Sequence, residues 1–271
     1  MSNRNPYLTS NRVNLSGFKL TVIILLALLV LYIVYPLIGL IFITGSINLA
    51  EELTRPEIIN AFVLSITTAT ISTLILSIFG IPLAYALARF QFKFKLLIRL
   101  VVIVPLVLPP LASGTILLNA FGPYSLLGRA IPIDFTQSVV GIILSQMYVA
   151  SPFIILPAQA AFEGVPERYE TAARVLGKKK SEVFFKISIP LAKTGILVGM
   201  LMAWIRSIGE LGATMMMSYN PHTISIQIFE DNAIGGLKNT VPGIVWLLIL
   251  SIFALIVFLF IKRHHSLKFG W

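Results

Sequence analysis

Cysteine is absent from the 271 residues, histidine occurs 3 times and only 12% of the side chains are charged. Without cysteine there is no disulfide framework, thiolate metal site or cysteine nucleophile, and nothing marks a redox compartment. The sequence also lacks paired histidines at zinc-ligand spacing and any cluster of acids within its apolar runs, which removes metal-assisted hydrolysis. It contains no G-x-x-x-x-G-K-[ST] loop, so it has no backbone cradle for nucleotide phosphates. Neither a catalytic residue nor a bound metal is expected, and the chain is not expected to be an enzyme by itself. The scarcity of charge excludes an ordinary soluble domain, in which about a quarter of residues are charged.

What the chain has instead is hydrophobicity: 57% of its residues are apolar, with a mean hydropathy of +0.90. A spanning helix needs roughly 20 mostly apolar residues. Six stretches qualify, near Leu20–Ile43, Ile58–Ala88, Leu96–Phe121, Thr136–Phe162, Ile189–Ala213 and Val241–Ile261. An all-α integral membrane protein is therefore expected. It would have a tail over 1–19, a membrane domain over 20–262 that includes a polar loop at 163–190, and a second tail over 263–271. The first run is longer than the roughly 7 to 15 apolar residues of a signal peptide, which predicts a retained helix. Pro105, Pro109, Pro110, Pro152 and Pro157 remove backbone donors and are expected to kink or interrupt the third and fourth spans.

A net charge of +10 is common to nucleic-acid binders, but here the basic residues lie between the apolar runs and form no basic-aromatic face, so no nucleic acid is expected. Of the 21 lysines and arginines, seventeen fall on one side: Arg4, Arg12, Lys19; Arg89, Lys93, Lys95, Arg99; the seven from Arg168 to Lys193; Lys262, Arg263, Lys268. Arg55, Arg129 and Lys238 fall on the other, and Arg206 alone lies within a span. The positive-inside rule then places both termini and the 163–190 loop in the cytoplasm of a multi-pass plasma-membrane protein. The outer segments carry a net charge of −3 and do not form an anion collector.

The loop contains a short amphipathic helix. Pro166 suits a helix start and Gly177 a left-handed helix end. Between them Val165, Tyr169, Ala172, Ala173 and Leu176 recur as one apolar face, with Glu167, Arg168, Glu170, Thr171 and Arg174 pointing elsewhere. Ser181 is expected to cap the next helix. On these grounds alone the helix has three possible beds: lipid, its own bundle or a partner.

The pattern resembles the EAA loop of bacterial and archaeal ABC importer permeases, E-A-A-x-x-x-G followed after nine residues by I-x-L-P. Ala172, Ala173, Gly177, Ile187 and Pro190 match; Thr171 stands at the glutamate position, with Glu170 one residue early, and Ile189 at the leucine position. A second stretch, Ser207–Glu230, is similar to the G-E-F-G-A-T segment of molybdate and tungstate permeases, to which sulfate permeases are related. Gly209, Glu210, Gly212, Ala213 and Thr214 match and Leu211 replaces phenylalanine.

These resemblances imply the type I permease fold of an ABC importer with a cytoplasmic coupling helix. They make Tyr169, Glu170, Thr171, Ala172, Ala173, Leu176 and Gly177 the ATPase-coupling residues. The implied partners are a second copy of the chain, two ATPase subunits holding ATP and magnesium, an extracytoplasmic oxyanion-binding protein, and membrane lipid. Arg206 and Glu210 are expected on one face of the fifth span, either as a self-neutralising pair or, with Gly209, Gly212 and Thr214, as part of the path or gate. Ser65, Thr67, Thr68 and Thr70 are expected to bond back to their own helix. Met215 to Met217 are expected to pack, and His264 and His265 to be solvated. The alternatives are a sulfate or thiosulfate permease, and a stand-alone secondary transporter built around broken helices.

Overall fold

The structure, a computed structural model, describes residues 11–44 and 48–266, with backbone alone for 11–16 and 263–266. Arg4, Lys268 and most of both expected tails lie outside the described residues, as do the side chains of Arg12, His264 and His265. The chain divides into two units at Leu49. The first is a single helix, α1 (Asn11–Thr44), which starts well before the expected Leu20 and carries Pro36 inside it.

The second unit holds α2 (Leu49–Leu53), α3 (Pro56–Arg89), α4 (Lys95–Val107), α5 (Pro110–Phe121), α6 (Leu126–Ala130), α7 (Val139–Glu163), α8 (Glu167–Val175) and α9 (Lys180–Val183). A π turn, Phe184–Ser188, leads into α10 (Ile189–Ile208); α11 (Gly212–Met217), α12 (Ile224–Gly235) and α13 (Leu237–Ser266) complete it. All regular elements among the described residues are helical.

The core forms where α3, α7 and α10 pack. Leu76, Ala84, Leu87, Ile154, Ile155, Ala158, Phe162, Ile196 and Ala203 are buried together, with Val102 of α4 joining them. A smaller cluster, Ile58, Ala61, Ala69, Ile208 and Ile224, ties α12 to α3 and α10. Large apolar side chains such as Ile249, Ile252, Phe253, Leu255 and Phe260 of α13 point outward. That is the inverse of a soluble fold and suits a bundle whose solvent is lipid.

Among the described residues five helices are long and apolar enough to cross a membrane, and a sixth span exists if α4 and α5 are taken as one. That pair is bent by 117°, so the expected third span is a broken one. The cause is local. A residue before proline is pushed out of the α region, and both Leu108 and Pro109 are extended, with ψ of 138° and 140°.

The fourth span behaves otherwise: α7 runs unbroken through Pro152 and Pro157. Pro152 cannot donate to the carbonyl of Tyr148, and Ser151 Oγ bonds that carbonyl instead, at 2.9 Å. Hydroxyls commonly satisfy such freed groups in membrane helices. The fifth span ends earlier than expected and also begins earlier, running over Lys180–Ile208: α10 stops at Ile208 with Gly209 as its cap, and Ala213 belongs to α11.

Candidate functional site

The 163–190 loop folds as a compact cap on one end of the bundle. Pro166 is the residue before α8, where its missing N–H costs nothing. At the other end Gly177 N–H bonds Arg174 O at 3.0 Å and Lys178 N–H bonds Ala173 O at 3.1 Å. This double closure requires a left-handed residue between them, and Gly177 has φ +83°. The next helix is not capped by Ser181. Lys179 occupies the cap position, and its N–H donates to Glu182 Oε2 at 3.3 Å.

The expected apolar face of α8 is split. Val165 and Ala173 turn into the bundle, whereas Tyr169, Ala172 and Leu176 face outward, joined by Val175. Leu176 and Val175 are 82% and 81% exposed, an open apolar stripe on an otherwise charged segment.

Glu170, expected among the outward polar residues, is the inward anchor. It is 5% exposed, and its Oε1 accepts from Arg89 Nε at 2.9 Å and Ser188 Oγ at 3.0 Å. Tyr85 Oη donates to Oε2 at 3.1 Å, and Arg89 Nη2 also bonds Val165 O at 2.6 Å. Thr171, at the motif's glutamate position, is exposed. Sequence reasoning missed Arg89, Tyr85 and Ser188, because the partners lie 81, 85 and 18 positions from Glu170. The available signal was that Glu170 and Ala173, three apart, share a face.

The second region centres on the junction between α10 and α11. Arg206 Nη1 lies 2.6 Å from Glu210 Oε2, but Glu210 is past the end of α10. Its Oε1 accepts the Ala213 N–H at 2.7 Å, so the carboxylate caps the start of α11. Glu210 is 1% exposed. Arg206 is partly open and borders a depression lined by Pro109, Pro110, Gly209 and Gly212 at the α4–α5 bend.

The two glycines differ. A Cβ added at Gly212 would lie 2.7 Å from Pro110 Cβ, whereas one at Gly209 would meet only Ile205 O of its own helix, at 3.7 Å. The close approach belongs to Gly212 and, across from it, Gly114, whose added Cβ would lie 2.8 Å from Ala213 Cα. Thr214 is fully buried beside this crossing.

The hydroxyls of Thr67, Thr68 and Thr70 donate to Val63 O, Leu64 O and Ile66 O of their own helix, as expected. Two of them also accept: Thr68 from Gln146 Nε2 at 3.1 Å and Thr70 from Trp204 Nε1 at 3.0 Å. Ser65 departs from the pattern. Its Oγ takes the Ile224 N–H at 2.8 Å and pins the start of α12. Met217 is fully buried, in keeping with a packing role.

The chain is thus a helical membrane bundle with a broken span, and its polar loop is anchored inward while carrying an exposed apolar stripe. The profile of the family "Binding-protein-dependent transport system inner membrane component" matches residues 78–266, and the chain belongs to that family. It is 40% identical over 220 residues to a probable molybdenum ABC transporter permease protein of Haloferax volcanii, covering 81% of each chain. With a molybdate/tungstate transport system permease protein of Methanocaldococcus jannaschii it shares 33% identity over 236 residues, 87% of this chain and 93% of the relative. Among solved structures, a chain of a bacterial alginate ABC transporter, crystallised with an alginate-bound periplasmic protein, superposes with a TM-score of 0.72 at 16% identity. The match covers 94% of this chain and 96% of that one. The type I permease fold expected from the sequence stands, and the protein is membrane-embedded.

Proposed function

We propose that this chain is the permease subunit of an ATP-driven ABC importer for molybdate or tungstate. Two copies would form the path, a cytoplasmic ATPase would bind each, and an extracytoplasmic binding protein would deliver the oxyanion. The observation that carries this reading is α8. A short charged segment is anchored inward through Glu170 while it displays Tyr169, Ala172, Val175 and Leu176 outward. An exposed apolar stripe of this kind suits burial against another protein.

The substrate class is supported by the names of the two relatives, which match over most of their length. The orientation, with α8 and both termini in the cytoplasm, is supported by the distribution of lysine and arginine. ATP binding would draw the two α8 segments together and open the path outward; hydrolysis would reverse this. Substrate selection would lie mainly in the delivering protein.

The test is reconstitution of the chain with its genomic partners in proteoliposomes containing ATP. Uptake of molybdate or tungstate that depends on both the ATPase and the binding protein is expected. Uptake of sulfate alone would overturn the substrate, and uptake without an ATPase would overturn the class.

A further inference from the structure

The buried polar ties that seat α8 converge on the Glu170 carboxylate and come from two different spans, while Arg89 also lies 4.0 Å from the exposed Glu167. Arg89 and Tyr85 belong to the end of α3, and Ser188 closes the π turn that opens α10. All three bond Glu170. Arg89 also holds Val165 O, the carbonyl just before Pro166, so it grips the entry to α8 as well as its middle. Beneath them Tyr85 packs edge-on to Phe162 and tilted against Phe184, with ring centroids 5.2 and 4.9 Å away, giving the joint an aromatic floor.

Stability alone does not require this arrangement. The Arg89 and Glu170 side chains are each only 7% exposed, and replacing a buried ion pair with packed apolar groups is often neutral or better. What the ion pair and its hydrogen bonds add is direction: charge-assisted bonds fix orientation, whereas an apolar contact can slide.

We propose that the Arg89–Glu170 pair, with Ser188, is the joint through which α8 moves α3 and α10 as one body. Arg89 and Ser188 are positioning residues, acting on the path through Glu170 and the two spans. This rests on α8 being the ATPase contact. With the joint cut, the ATPase stays docked and turns over, but its stroke is lost before it reaches the path.

The test uses the complete complex in proteoliposomes, with Arg89→Met and Glu170→Gln combined so that neither charge is left unpaired. The expected result is normal assembly and continued ATP hydrolysis, with molybdate uptake per ATP falling about fivefold or more. Because the chain lacks cysteine, spin labels on cysteines placed at Ala86 of α3 and Arg174 of α8, attached to the purified chain before assembly with its partners, report their separation. That distance should stay constant on ATP binding in the otherwise wild-type chain and change in the double variant.

Wild-type uptake per ATP in an assembled double variant would overturn the joint, as would an Ala86–Arg174 distance that changes on ATP binding in the otherwise wild-type chain. If the double variant does not assemble, Ser188→Ala decides by the same ratio: a fall supports the joint and no change overturns it. Failure of the underlying reading shows separately, as an ATPase that does not copurify with the wild-type chain.

Discussion

Arg206 and Glu210 pair across the end of a helix, not along it. The guanidinium reaches from the last turn of α10 to a carboxylate that has left the helix and caps α11. The pair thereby ties the end of α10 to the start of α11, a structural duty that holds whatever part it plays in transport.

Its two members should not be equivalent. Glu210 is 1% exposed, while the Arg206 side chain is 27% exposed and can turn toward water. Arg206→Met leaves a buried carboxylate without its counter-charge, a loss that can reach about 3 kcal/mol. Glu210→Gln keeps an acceptor for Ala213 N–H and strands only the more accessible cation. Thermal unfolding in detergent should show Arg206→Met as the more destabilised, with the combined variant recovering most of the loss. If the combined variant is stable yet transports poorly or leaks, the pair belongs to the path; wild-type uptake would confine it to architecture.

The split of α8 makes a second contrast. Leu176→Glu and Ala172→Glu place a charge on the outward stripe and should abolish copurification of the ATPase without affecting fold, since a dry contact penalises an unpaired charge by several kcal/mol, about 2 to 7 for a polar group alone. Ala173→Glu puts the charge inside the chain's own bundle and should lower the unfolding temperature of the permease itself. Equal behaviour of the three variants would remove the stripe as a docking face.

Gly177 offers a conformational test. With φ at +83° and open space where a Cβ would go, any cost of substitution is backbone strain, not collision. Gly177→Val should cost about 1 to 2 kcal/mol locally, and Gly177→Asn much less, because asparagine tolerates the left-handed region. Hydrogen exchange of the amides of Gly177 and Lys178, which close the end of α8, should report the difference.

Most of the architecture was legible because lipid imposes simple demands: long apolar runs, polar gaps and a charge bias. The family was legible because Ala172, Ala173, Gly177 and Pro190 hold fixed spacings. The orientation of Glu170 was not, since a helical wheel assigns a carboxylate to the wet side and only a distant Arg89 reverses that assignment. Nor was the end of α10, because Gly209 and Glu210 are followed by the apolar Leu211, Gly212 and Ala213, and a helix that stops at Ile208 and one that runs on to Ala213 read alike in composition. Adjacent prolines showed correctly where the third span breaks. The break expected at Pro152 and Pro157 does not occur: α7 is continuous, and at Pro152 the Ser151 hydroxyl takes up the Tyr148 carbonyl that the proline leaves unbonded.

The crossing of α5 and α11 gives the last contrast, between two glycines that the sequence presents as alike. At Gly212 a methyl group would meet Pro110 Cβ at 2.7 Å and Leu111 N at 3.0 Å, both in a helix start that cannot easily retreat. Gly212→Ala should therefore force the helices apart, at an overpacking cost of about 1 to 3 kcal/mol. Gly209 has ordinary backbone angles, φ −79° and ψ 6°, and no neighbour from another helix within contact. Gly209→Ala should be neutral or stabilise by about 0.4 to 1 kcal/mol, by restricting the unfolded chain. Unfolding midpoints of the two variants in the same detergent check the pair, and uptake measured alongside shows whether the tight contact also seals the path. A Gly212→Ala chain as stable as wild type would mean that α5 and α11 are not held at this distance, and that the crossing is free to open.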